Sequence, residues 1–179
     1  MRTEEISDFD LSFLFGDRSI RAKAREKEIG AALLDGRLSS EAFLDFARLQ
    51  SGPAKTTCLG GLELATRARP ELVDTAWFGF LCDALEDDLS SIKREAARIV
   101  GNVAQQPPGR MDAALEGLLR NATHDGTVVR WAAAFALCEI LSHQPALVDG
   151  LLPQVRRLRD HEENSGVKKK YIKALGTAS

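Results

Sequence analysis

At intervals of 33 to 38 residues this chain repeats one register, an anchor position with an apolar residue just before it and another seven places after it. Aligning Arg130 with Lys93, Lys168 and Lys55 brings Val129 onto Ile92, Val167 and Ala54, and Leu137 onto Val100, Leu175 and Leu62. Five residues before these anchors stand Asp125, Asp88, Glu163 and Gln50. A first copy fits when its anchor is Ala22, with Asp17 at minus five and Ile29 at plus seven. Positions minus one, plus three, plus six and plus seven share one face of an α-helix. No stretch alternates with period two over the length of a strand, so the register argues against a sheet.

The clearest copy runs from Thr127 to Ser142 and carries only two charges, Arg130 and Glu139, with no Gly or Pro. Val129, Ala133, Ala136, Leu137 and Ile140 form its core face, while Trp131, Phe135 and Cys138 project from the opposite side. Around it, capping and breaking signals divide the chain into further helices. These are Ile6–Phe15, Ser19–Leu34, Ser39 or Ser40 to about Gln50, Pro53–Arg69, Glu71–Glu86, Ser90–Gln105, Asp112–Ala122, Pro145–Asp160 and Ser165–Leu175. Asp35-Gly36, Ser51-Gly52-Pro53 and Pro107-Pro108-Gly109 are the main interruptions. About ten helices in pairs at this period predict an all-α chain, a right-handed α-α superhelix of about five helical pairs. One domain over 1–179 is expected, with repeats near 5–36, 37–69, 70–106, 107–143 and 144–177.

The pattern Asp-x-x-x-(Val/Ile)-(Arg/Lys)-x-x-Ala, at Asp125 to Ala133 and Asp88 to Ala96, resembles the start of the second helix of HEAT repeats, members of the armadillo-type α-solenoids. The resemblance covers nearly the whole chain, sharply in the third and fourth repeats and loosely in the first and second. It implies a curved stack whose second helices line the concave side. It also implies that Asp125, Arg130, Asp88 and Lys93 hydrogen-bond along the stack; a carboxylate there offsets the cost of a cation in the first turn of a helix. More distantly, helix pairing and basic lining are similar to HEAT-like DNA alkylation-repair glycosylases, although no residue matches their catalytic Asp.

On the wheel, positions plus one, plus five and plus eight point away from the core. They place Lys23 and Lys27, Thr56 and Gly60, Arg94 and Arg98, Trp131 and Phe135, and Lys169 and Lys173 along one hollow, with Gly30, Glu63, Gly101, Cys138 and Gly176 at plus eight. The second helices carry a basic excess and the remainder of the chain an acidic one. A basic lining on an acidic body focuses potential toward an anionic partner. Candidate partner-binding residues are therefore Lys23, Lys27, Arg94, Arg98, Trp131, Phe135, Lys169 and Lys173. Two readings of Trp131 and Phe135 stay open: neighbours cover them, or they form a hot spot for a peptide or nucleobase. Lys168-Lys169-Lys170 is equally a binding feature or a solvated polar cap.

Chemistry finds little support. His124, His143 and His161 share no helical face, neither His-Glu-x-x-His nor paired Cys-x-x-Cys occurs, and Gly60-Gly61 lacks the Lys and Ser or Thr of a phosphate loop. Cys58, Cys82 and Cys138 read as small buried side chains in a reducing compartment. With 44% hydrophobic residues, 28% charged and a net charge of −2, the chain has no general attraction to nucleic acid or membrane. No apolar run approaches the roughly 20 residues of a membrane span. The expectation is a cytoplasmic, non-enzymatic scaffold without cofactor, catalytic residue or metal, holding a protein or peptide, with nucleic-acid binding, including glycosylase-like binding, as the alternative.

Overall fold

The computed structural model describes residues 9–177, and among them ten α-helices occur and no strand. They are α1 (Leu11–Gly16), α2 (Ala22–Asp35), α3 (Ser40–Arg48), α4 (Gly52–Thr66), α5 (Thr75–Leu85), α6 (Ser90–Asn102), α7 (Pro108–Asn121), α8 (Thr127–His143), α9 (Val148–His161) and α10 (Ser165–Thr177). Residues 6 to 8 of the first expected helix lie outside the described residues. Several boundaries differ from expectation: α2 begins at Ala22 rather than Ser19, and the expected Pro145–Asp160 helix divides into a 3-10 turn, Pro145–Leu147, and α9. Pro70–Leu72 is a separate 3-10 turn, because Asp74 caps α5 by accepting the Trp77 N–H at 2.9 Å. The Pro107-Pro108-Gly109 break turns out to be a helix start, since Pro108 needs no N–H donor at the first position of α7.

Contacts gather the helices into two compact units that divide between Leu72 and Val73. In the first unit α2 packs along α4, which also receives α3 and the Pro70–Leu72 turn. Ile29, Leu33, Phe43, Cys58, Leu59 and Leu62 form its core, each essentially without exposure. Close approach of α2 and α4 depends on glycine: a Cβ on Gly61 would lie 2.6 Å from Ile29 Cγ2, and one on Gly60 2.7 Å from Glu26 Cδ. Gly36, at φ 81°, ends α2 in the left-handed conformation that its lack of a Cβ permits.

In the second unit α5 pairs with α6, α7 with α8 and α9 with α10, while α6, α8 and α10 lie side by side, with α8 in the middle. Core positions follow the sequence register closely. Val129, Ala133, Ala136, Leu137 and Ile140 are all fully buried, as are Ala96, Ile99, Val100, Val155, Val167 and Tyr171. Gln144, buried after the last turn of α8, donates through Nε2 to the carbonyls of Ala104 and Gln106 beyond α6. Those two bonds satisfy a buried amide and lock the ends of the two pairs together.

The cysteines follow the same burial. Cys58 and Cys138 are buried and Cys82 half-buried, all three as thiols. Burial pushes Cys58 and Cys138 up to about 12 and raises Cys82 as well, helped there by Asp83. Thiolate is the reactive form, so a thiol reagent added to the folded chain at pH 8 should modify Cys82 first. Peptide mass spectrometry should find Cys58 and Cys138 labelled only at the rate of unfolding.

Candidate functional site

The centre of the second unit's second-helix face is built on α8. Its core face meets α7, its two flanks meet α6 and α10, and Ala132 and Ala134 are as buried as Ala133. The strip left uncovered carries the largest side chains. Trp131 keeps 40% of its surface exposed, Phe135 is half-buried one turn on, and the rings stack at 6.2 Å between centroids and 19° between planes. Phe135 reaches down to α6, where Gly101 makes room: a Cβ there would sit 2.5 Å from Phe135 Cε1. Trp131 is thus on the surface, beside an anchored phenyl ring.

A cation covers the pair, though not one the wheel selects. Lys170 Nζ lies 4.1 Å from the Trp131 ring centroid and 5.3 Å from that of Phe135, a cation–π arrangement. Lys169 and Lys173 are exposed on α10. Lys170 stands at plus two, a position buried as Ala132 in α8 and Glu95 in α6 because it faces a flanking helix. In α10 that helix is α8, and no signal within the sequence of α10 marks Lys170, because burial at plus two is set by the neighbouring helix.

Arg94 and Arg98 are tied together rather than projecting separately. Glu95, only 2% exposed, accepts Arg94 Nε and Nη2 on Oε1 at 3.0 and 2.6 Å, and Arg98 Nη1 on Oε2 at 3.0 Å. The arginine side chains keep 35% and 25% of their surface. Glu95 is a buried carboxylate that fixes both guanidiniums and cancels one of their two charges. Lys23 and Lys27 are exposed on α2 in the first unit, with Lys23 Nζ 2.6 Å from the Glu26 carboxylate.

Four of the five plus-eight positions do not line an open surface. Gly30, Gly101 and Cys138 are buried where adjacent second helices touch, against α4, α8 and α10 in turn, and Glu63 is buried with its carboxylate held by Arg67, whereas Gly176 is exposed. Two of the basic anchors, Lys93 and Arg130, are structural. Lys93 Nζ donates to the Leu85 carbonyl and Asn121 Oδ1, and Arg130 donates to the His124 and Asp125 carbonyls and, with Nε and Nη2, to both oxygens of Glu162. Arg130 thus bonds along the stack to Glu162, and to Asp125 through its backbone carbonyl. A separate cleft of about 390 Å³ opens beside this pair, lined by His124, Asp125, His161, Glu162 and Glu163 among others. Among the described residues no group of three His, Cys, Asp or Glu could hold a metal ion, and no helix is long and apolar enough to cross a membrane.

The chain matches no protein-family model and no curated protein sequence. Its structure is similar to those of engineered repeat proteins. One engineered protein aligns over 93% of this chain and 78% of its own, at TM-score 0.71 and 20% identity. A designed armadillo repeat protein aligns over 88% and 74%, at TM-score 0.70 and 14% identity. Another, in complex with the peptide (KR)4, aligns over 88% and 71%, at TM-score 0.67 and 19% identity. The likeness shows the fold, an all-α solenoid of the armadillo and HEAT type.

Proposed function

We propose that this chain is a non-enzymatic scaffold that holds a protein or peptide partner, anionic where it is gripped, on the second-helix face formed by α6, α8 and α10. The observation that carries the reading is the Trp131–Phe135 stack. A large indole left 40% exposed at the middle of a face, next to an anchored ring, has the character of a binding hot spot. Arg94 and Arg98 on α6, and Lys169, Lys170 and Lys173 on α10, stand on the two helices that flank α8, so the face carries a positive excess after Glu95 and Glu139 are counted. Lys23 and Lys27 are proposed as further basic contacts on the first unit. Similarity to a designed scaffold in complex with a peptide supports a peptide as the class of partner.

Trp131→Ala tests the reading. It should cost about 2 kcal/mol of folding stability, because the residue is 40% exposed and only its covered part is lost, while weakening partner binding at least tenfold. A loss of about 4 kcal/mol or more in urea unfolding would instead mark Trp131 as a core residue. Duplex DNA titrated at low and moderate salt should show no binding. A complex at low salt that weakens steeply as salt rises would replace the peptide reading with a phosphate-driven one.

A further inference from the structure

Resting on that reading, we infer that Lys170 is the specificity residue of the face: parked on Trp131 and Phe135, it receives a partner carboxylate that lies beside a large apolar side chain, the signature of an acidic peptide segment. A lysine on a helix surface is ordinarily free to sweep through many rotamers, and ordering it opposes binding. Here the ring quadrupoles hold the ammonium 4.1 and 5.3 Å from two centroids. Of its three N–H donors, those turned away from the rings remain available to an incoming oxygen. The indole beneath is still partly open, so one acidic residue and one neighbouring apolar residue meet matched surfaces at the same place.

Charge decides the sign of the partner. Arg94 and Arg98 share one carboxylate, Lys169 is exposed on the same helix as Lys170, and the carboxylate of Glu139 on α8 offsets only one of the remaining charges. A partner lysine seeking the aromatic pair would have to evict Lys170 and enter this positive excess. A nucleic-acid strand calls for a row of cations that phosphates can follow, whereas the two arginines here are half neutralised.

The test uses the whole chain and a phage-displayed peptide library. Panning should enrich peptides with Asp or Glu within two positions of Trp, Phe or Leu. The dominant peptide, synthesised with a fluorophore, is titrated against wild type, Trp131→Ala, Lys170→Met and, as a charge-matched control on the exposed surface of α9, Arg156→Met. Methionine at 170 keeps the unbranched stem on the rings and removes only the charge. Trp131→Ala and Lys170→Met should each weaken binding at least tenfold and Arg156→Met less than threefold, with circular dichroism and thermal unfolding of the methionine variants unchanged. If Trp131→Ala weakens binding but Lys170→Met behaves like Arg156→Met, Lys170 reads nothing and only the scaffold reading stands. If no peptide is enriched, or the peptide is indifferent to Trp131→Ala, the scaffold reading falls with it. Enrichment of basic peptides, or binding of a labelled oligothymidine that competes with the peptide, overturns the acidic-segment assignment.

Discussion

Arg130→Ala should lower the stability of the second unit by about 3 kcal/mol. The Arg130 side chain is 19% exposed and that of Glu162 5%, with Nε 2.9 Å from Glu162 Oε2 and the second nitrogen on Oε1. Removing one partner of a buried pair costs about 3–5 kcal/mol because the other charge stays behind without compensation. The partial exposure of the guanidinium places the expected value at the lower end. Two carbonyls in the turn before α8, those of His124 and Asp125, lose their donor as well.

The acid limb of the stability profile carries the same signature. Burial alone would raise the Glu162 carboxyl, but the Arg130 guanidinium and the Asn164 N–H outweigh it and hold the group below the usual carboxylate range. A depressed folded value means that the pair's contribution is complete above the unfolded glutamate value of about 4.3 and is lost as pH falls through the folded one. The gap between wild type and Arg130→Ala, measured by urea unfolding, should therefore be widest near pH 7 and narrow toward pH 3. A gap unchanged by pH would mean that Glu162 is not what Arg130 compensates.

Gly61→Ala should destabilise the first unit by about 2 kcal/mol, although alanine is the better helix former by about 1 kcal/mol. The new methyl would fall 2.6 and 2.7 Å from Ile29 Cγ2 and Cβ and 3.3 Å from the Glu26 carbonyl oxygen. Ile29 is β-branched, helical and without exposed surface, so it has no other rotamer to take and the helices must separate. Gly79→Ala is the matched comparison. It lies inside α5 with open space for 4 Å around the point where a methyl would stand, and should raise stability by about 0.5–1 kcal/mol. Opposite signs in thermal unfolding would establish that helix spacing, rather than propensity, sets the choice of Gly61.

The core of this fold is readable because its signals are local. Val129, Ile92 and Val167 at minus one, and Ile29, Leu62, Val100 and Leu137 at plus seven, are buried as the register requires. Leu175, the equivalent residue in α10, is only half-buried. The face that carries the candidate site is harder to read. A wheel gives direction relative to one helix, so it treats Arg94, Arg98, Lys169 and Lys173 as independent cations and gives Lys170 no role. The carboxylate that joins the first two is Glu95, and the lysine that meets the rings lies between the other two.

From sequence alone come the ten helices, their pairing and the identity of the buried stripe, because helical period, caps and breakers act over a few residues. Only the tertiary structure decided which residues opposite that stripe meet solvent. Gly101 and Cys138 vanish into seams, Glu95 is closed over and Trp131 is left open, according to how near the flanking helices come. That distance depends on pairs of residues far apart in the chain, Gly101 with Phe135 and Trp131 with Lys170, and no single helix contains the information.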